Sequence, residues 1–237
     1  MRIQTEALVL FSSETGENDR LITVLSKEHG VLRAFANHAR KPSSRLQSAS
    51  QPFCRGTYEF SQRKDAWTVT EARPKELFFG LAADPARLAL AVYLADLARE
   101  LSPREEPAPE QLRLMLNVLH FLASGRRPQP LLKAVAELRL MCLAGYAPSL
   151  EASGGTPYYF DCLAGKLTPQ PNRRTMELSP GVLEALRFLC AVPLERAFHF
   201  TMPDHALREL SGVTQRYIIE QMGRQFESLR YYEKLLV

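Results

Sequence analysis

Apolar and polar residues follow one period up to about residue 80 and another beyond it. In the first stretch the apolar segments are short and bounded by turn residues. Ile3–Phe11 opens the series. Arg20–Lys27 (RLITVLSK) is rich in β-formers, His29-Gly30 breaks it, and Val31–Asn37 (VLRAFAN) resumes. Gln51–Phe60 and Ala66–Arg73 alternate on either side of the polar hairpin tip SQRKD. Five strands in so short a stretch are too few for a two-sheet sandwich. They suit an OB-fold, a five-stranded barrel that closes its own edges.

From Asp84 the period is helical. Asp84-Pro85 reads as an N-cap followed by a proline in the first turn. Leu90, Tyr93, Leu94, Leu97 and Leu101 then share one face. Ser102–Pro109, with three prolines, reads as a linker. Glu110–Ala123 is apolar on nearly every side and is expected at the centre of a helical domain. Pro130–Ala144 is a further helix, ended by Gly145 and Pro148. Ser149–Pro180 reads as irregular. Pro180–Ala191 and Val213–Leu236 supply the last long helices, with Ile218, Met222, Phe226, Leu229 and Leu236 on one face of the final one. The expected fold is thus α+β: an N-terminal OB-fold over residues 1–80, then an α-helical domain over 81–237 with an irregular loop at 149–180.

Composition narrows the class. With 46% apolar and 24% charged residues the chain is an ordinary globular one, which excludes a disordered tail, a collagen and a disulfide scaffold. The four cysteines, Cys54, Cys142, Cys162 and Cys190, are far apart and form no C-x-x-C pair, as suits a reducing compartment. The start MRIQTEALVLF lacks the apolar core of a signal peptide, and no stretch approaches the roughly 18 uncharged apolar residues of a membrane helix. A cytoplasmic, nucleoid-associated protein without membrane contact is the expectation.

Net charge is only +4, but it is concentrated. Arg33, Arg40, Lys41, Arg45, Arg55, Arg63 and Lys64 stand against the single acid Glu59, a local excess of +6. Either these are solvated loop charges or they form a face that gains by releasing counterions from a polyanion. The loop HARKPSSR favours the second, because its cations alternate with hydroxyls able to donate to phosphate oxygens. Tyr58, Phe60 and Trp67 either stack bases or fill the barrel. Enzyme signatures are missing. Gly165-Lys166 has Phe160 where a P-loop needs its first glycine and Leu167 where it needs Ser or Thr, and neither H-E-x-x-H nor G-x-S-x-G occurs. The five histidines are scattered and the carboxylates form no compact cluster.

Several blocks together resemble the RecO family of bacterial DNA repair proteins. They are GENDRLITVLSKEHGVLRAFA from Gly16 to Ala36, then ARKPSSRLQ and QPF, then ELRLMCLAGYAP from Glu137 to Pro148, then YYFD with the following Gly165, and QRYIIEQMGRQFESLRYYEKL near the C-terminus. The resemblance implies a recombination mediator without catalytic turnover or cofactor. Such a protein binds single- and double-stranded DNA, anneals complementary strands, engages the acidic tail of single-stranded DNA-binding protein, and with RecR helps RecA displace that protein. Carried over by position, Arg20 and Arg33 lie in matching strands, and Arg40, Lys41 and Arg45 in the matching basic loop. With His38, Arg55, Arg63 and Lys64 they are the DNA-contact candidates. Lys133 and Arg139, beside Leu132, Val135 and Met141, with Arg187 on the next helix, are candidates for the tail.

The chain departs from the family pattern twice. Many relatives read Lys-Gly-Ala-Arg where this chain has Asn37-His38-Ala39-Arg40, so a fixed cation gives way to a polar and a titrating residue. Many relatives also carry two C-x-x-C pairs around a zinc site, whereas the matching stretches here are A-S-G-G around Ser153 and Thr168–Pro171. Cys162 between them cannot complete a four-ligand site alone, and no metal is expected. Two rival functions stay open. An OB-fold RNA-binding protein would prefer RNA over matched DNA. A pure adaptor with a structural barrel would bind no oligonucleotide even at low salt.

Overall fold

The computed structural model describes residues 1–151 and 157–236. Strands β1 (Arg2–Thr15), β2 (Asp19–Ser26), β3 (Gly30–Ala36), β4 (Cys54–Arg63) and β5 (Ala66–Leu77) close into a barrel of order β1-β2-β3-β5-β4, with β4 returning to β1. Only β3 and β5 run parallel, pairing Ala34 with Trp67 and Phe35 with Thr68. This is the OB topology expected from the five alternating segments. Inward residues Ala7, Val9, Ile22, Val24, Leu32, Ala34, Tyr58, Phe60 and Val69 form the barrel core.

β1 changes its aim midway. A bulge at Leu10 shifts the register between Val9 and Phe11, so Val9 opposes Val24 and Phe11 opposes Thr23. Leu8 and Leu10 bury against the helices with Leu25 and Val31, while Phe11 emerges to 48% exposure.

A 3-10 turn (Phe79–Ala83) leads into α1 (Pro85–Leu101), whose Asp84 carboxylate accepts the Ala86 N–H at 2.9 Å. α2 (Pro109–Ser124) and α3 (Gln129–Leu143) follow, then α4 (Pro180–Ala191), α5 (Leu194–Ala197), α6 (Asp204–Met222) and α7 (Glu227–Lys234). The central helix is α3 rather than the expected Glu110–Ala123. All eight residues from Leu131 to Leu138 are buried, whereas α2 exposes Arg113 and His120. The expected last helix is two. Gly223 takes φ +63 and ends α6, and α7 restarts after Phe226, which packs edge-on to Tyr93.

The stretch read as irregular holds a three-stranded sheet, β6 (Tyr158–Asp161), β7 (Lys166–Thr168) and β8 (Thr175–Leu178), in the order β7-β6-β8. Its tight turn is built by Asp161, whose carboxylate accepts the N–H groups of Leu163 and Ala164, and by Gly165 at φ +62. Those bonds, the one from Ala164 foremost, hold the Asp161 carboxyl below its ordinary value. The A-S-G-G segment around Ser153 lies outside the described residues. Among the described residues no three His, Cys, Asp or Glu side chains converge on a point that would hold a metal ion.

Candidate nucleic-acid interface

On β3 the small residues Ala34 and Ala36 point into the barrel, which sends Arg33 and Phe35 outward. Arg33 opposes Thr23, which opposes Phe11; Phe35 opposes Leu21, which opposes Ser13. The outer face of β1-β2-β3 therefore carries two exposed aromatic rings, Phe11 and Phe35, beside a cation. Phe35 is 39% exposed. Both ends of this strip carry further charge. At one end stand Arg63 and Lys64, at the β4–β5 tip, where Lys64 takes φ +52. At the other the 37–45 loop presents Lys41 and Arg45. Arg33, Lys41, Arg45, Arg63 and Lys64 are all exposed, and among the described residues none has a carboxylate within ion-pair distance.

Beside Arg33 a cleft of about 390 Å³ separates the barrel from the helices, lined by Gln62, Trp67, Arg99 and Arg104, with Asp65 and Glu105 also on its wall. The chain enters this place because β2 and β3 are tied to the proline segment. The Val31 N–H donates to the Pro103 carbonyl at 2.8 Å and the Ala108 N–H to the Lys27 carbonyl at 2.9 Å. Gly30, at φ +57, makes this approach possible, for a Cβ there would lie 2.1 Å from the Pro103 oxygen.

The other sequence candidates are occupied elsewhere. Arg40 pairs with Glu14 at 3.0 Å and donates to the Glu17 carbonyl at 3.0 Å, pinning the β1–β2 turn. Arg55 is held by Glu6 at 2.7 Å and Glu76 at 3.6 Å, on the β1-β4-β5 side. Arg20 is half-buried opposite Ala36, its enclosed Nε has no acceptor, and neither Glu17 nor Asp19 pairs with it. His38 is exposed at φ +56 with its N–H on Asp19 Oδ1, a left-handed position that explains the glycine of the resembling motif.

Tyr58 and Phe60 do not stack bases as they stand. Both are sealed in the core, stacked on each other at 5.9 Å, and the Tyr58 hydroxyl donates to the Ala49 carbonyl at 2.8 Å. Trp67 divides, one side on the core and the other lining the cleft. Alternation alone does not single out Phe35, because Leu32, Ala34 and Ala36 on the same strand are apolar too. The phase of Arg33, two residues from Phe35, is the signal that identifies the outer face.

The three tail candidates are likewise bound within the helical body. Lys133 has a 3% exposed side chain, pairs with Glu137 Oε1 at 2.8 Å and donates to the Ser211 carbonyl. A residue so enclosed cannot meet a peptide without opening the core, so the expectation for Lys133 is corrected. Arg139 donates to the Leu189 and Val192 carbonyls at the end of α4. Arg187 donates to the Leu150 carbonyl and pairs with Glu184. In each case backbone carbonyls or a neighbouring carboxylate already occupy the cation.

Family comparison covers nearly all of this architecture. The family model described as recombination protein O N terminal matches residues 1–78, and recombination protein O C terminal matches residues 82–230. The chain is 30% identical to the DNA repair protein RecO of Acetivibrio thermocellus, over 98% of this chain and 97% of the relative. It is 31% identical to that of Desulforudis audaxviator over 98% and 96%, and 32% identical to that of Heliobacterium modesticaldum over 91% and 83%.

Proposed function

The chain belongs to the RecO family of DNA repair proteins, and from that premise we propose that it acts without catalysis, binding single- and double-stranded DNA and annealing complementary strands in the nucleoid-bearing cytoplasm. In this reading RecR and the tail of single-stranded DNA-binding protein are its partners, and the outcome is RecA loaded on DNA. Residues 1–80 would contact DNA and residues 81–237 the proteins.

The observation that carries the DNA reading is the strip of Phe35 and Arg33 with free cations at both ends. From Arg33 to Ala36 the strand runs about 10 Å, so one line of bases on the rings leaves the phosphates near cations at either end. Lys41, Arg45, Arg63 and Lys64 should each add to the salt dependence. Replacing all four by Ala should flatten the salt slope for a single strand by up to about 0.7 per lost contact, alike across sequences. Arg40→Ala should leave the slope nearly unchanged and loosen the β1–β2 turn, since its guanidinium is already engaged. Anisotropy titrations at several salt concentrations measure both. An unchanged slope in the fourfold variant would sink the reading and favour the adaptor. A matched RNA strand bound more tightly than DNA would favour the RNA-binding alternative.

A further inference from the structure

We propose that Cys142 and Cys190 form a redox-active pair that closes to an internal disulfide in the presence of a peroxide, while Cys54 and Cys162 stay reduced. The two sulfurs stand 3.9 Å apart. A disulfide needs about 2.05 Å, so the approach required is under about 2 Å, within reach of a small side-chain rotation. Both residues sit one position from the end of a helix, Cys142 in α3 and Cys190 in α4. Arg139 fixes the two ends against each other through its bonds to the Leu189 and Val192 carbonyls.

Access and reactivity separate this pair from the other two thiols. Cys142 and Cys190 are half-buried, and Cys190 lines an open groove of about 550 Å³ with Pro148, Leu150, Glu151 and Arg187. Cys54 and Cys162 have no exposed surface, and burial pushes the Cys162 thiol up to about 11. Hydrogen bonding with Cys190 holds the Cys142 thiol below its ordinary value, assisted by the Arg139 guanidinium, while Cys190 is pushed up.

The chemistry balances with one peroxide. One thiol of the pair attacks a peroxide oxygen, the O–O bond breaks, and one water leaves with a sulfenic acid formed on that sulfur. The other thiol attacks the oxidised sulfur, the S–O bond breaks, and the second water leaves. Two thiols lose two electrons and two protons, and the peroxide takes them up. The new bond would tether residues 143–189, including β6–β8, to the ends of α3 and α4.

The test treats the full-length protein with a slight excess of hydrogen peroxide, unfolds it in denaturant, alkylates the remaining thiols and maps the peptides by mass. The expected result is one Cys142–Cys190 linked peptide, two alkylated thiols at Cys54 and Cys162, and a melting temperature raised by several degrees until dithiothreitol reverses it. Cys142→Ser and Cys190→Ser should each abolish the link. Four alkylated cysteines after treatment, a link through Cys54 or Cys162, or sulfinic acids without a link would each overturn the assignment.

Discussion

Arg33 and Arg40 lie seven residues apart in the same basic run, yet the fold puts them to different uses. Arg33 projects from β3 into solvent, and Arg40 is spent on Glu14 and the Glu17 carbonyl. A similar division separates the aromatics. Phe35 has an open face and Phe60 has none. Phe35→Ala should therefore weaken single-strand binding by about 1–3 kcal/mol, the usual worth of a base stacked on a ring, with little loss of stability. Phe60→Ala should do the reverse, costing about 3–5 kcal/mol of folding stability through the cavity it leaves. Parallel binding and urea titrations read both. Equal effects in the two assays would mean that Phe35 is merely packing.

Among the elements, the contact of greatest consequence is the one between the β2–β3 turn and the proline segment before α2. It places Arg104 and Arg99 beside Arg33, and it depends on a residue without a side chain. Gly30→Ala would force a methyl into the Pro103 carbonyl and hold a non-glycine residue at φ +57. Strain of this kind costs on the order of 1–3 kcal/mol before the clash is relieved. The variant should lose more than about 2 kcal/mol in denaturant unfolding. A stability within about 0.5 kcal/mol of the parent would show that the turn and the segment move apart freely.

In the molecule as a whole, the helical body is organised around a buried polar cluster. Glu137 receives Lys133 at 2.8 Å, the Tyr93 hydroxyl at 2.7 Å and the Thr214 hydroxyl at 2.6 Å, joining α1, α3 and α6. Removing one member leaves an uncompensated buried charge, so Lys133→Ala should destabilise by about 3–5 kcal/mol by thermal or urea unfolding. A surface residue would cost far less. Alkaline pH probes the same body. Burial raises Tyr58 and Tyr93, with Glu137 adding to Tyr93, and pushes Tyr217 and Tyr232 up to about 12. Below the ordinary tyrosine value near 10 both states keep these protons, and the tyrosines add no pH dependence. Above it the unfolded chain releases protons that the folded chain retains, so stability falls as pH rises toward about 12. Urea midpoints at neutral pH and at about pH 11 should differ in that direction; equal midpoints would contradict the buried tyrosines.

Local pattern was enough for the barrel and most helices. Strand alternation, the Asp84-Pro85 cap and the helical spacing from Leu90 to Leu101 are short-range signals, and short-range sterics and burial decide the elements they mark. The three-residue and four-residue strands of the 158–178 sheet escaped because each is too short to show a period. The break at Gly223 escaped because apolar spacing continues across it. The candidate site was legible only as a list of cations. Which of them are free depends on partners distant in the chain: Glu14 for Arg40, Glu6 for Arg55, the Leu189 carbonyl for Arg139. Thus the sequence by itself determined the α+β order, the five barrel strands and a basic N-terminal half. Only the tertiary structure decided which charges face solvent, because an ion pair or a buried donor is a property of two positions brought together and leaves no periodic trace at either one.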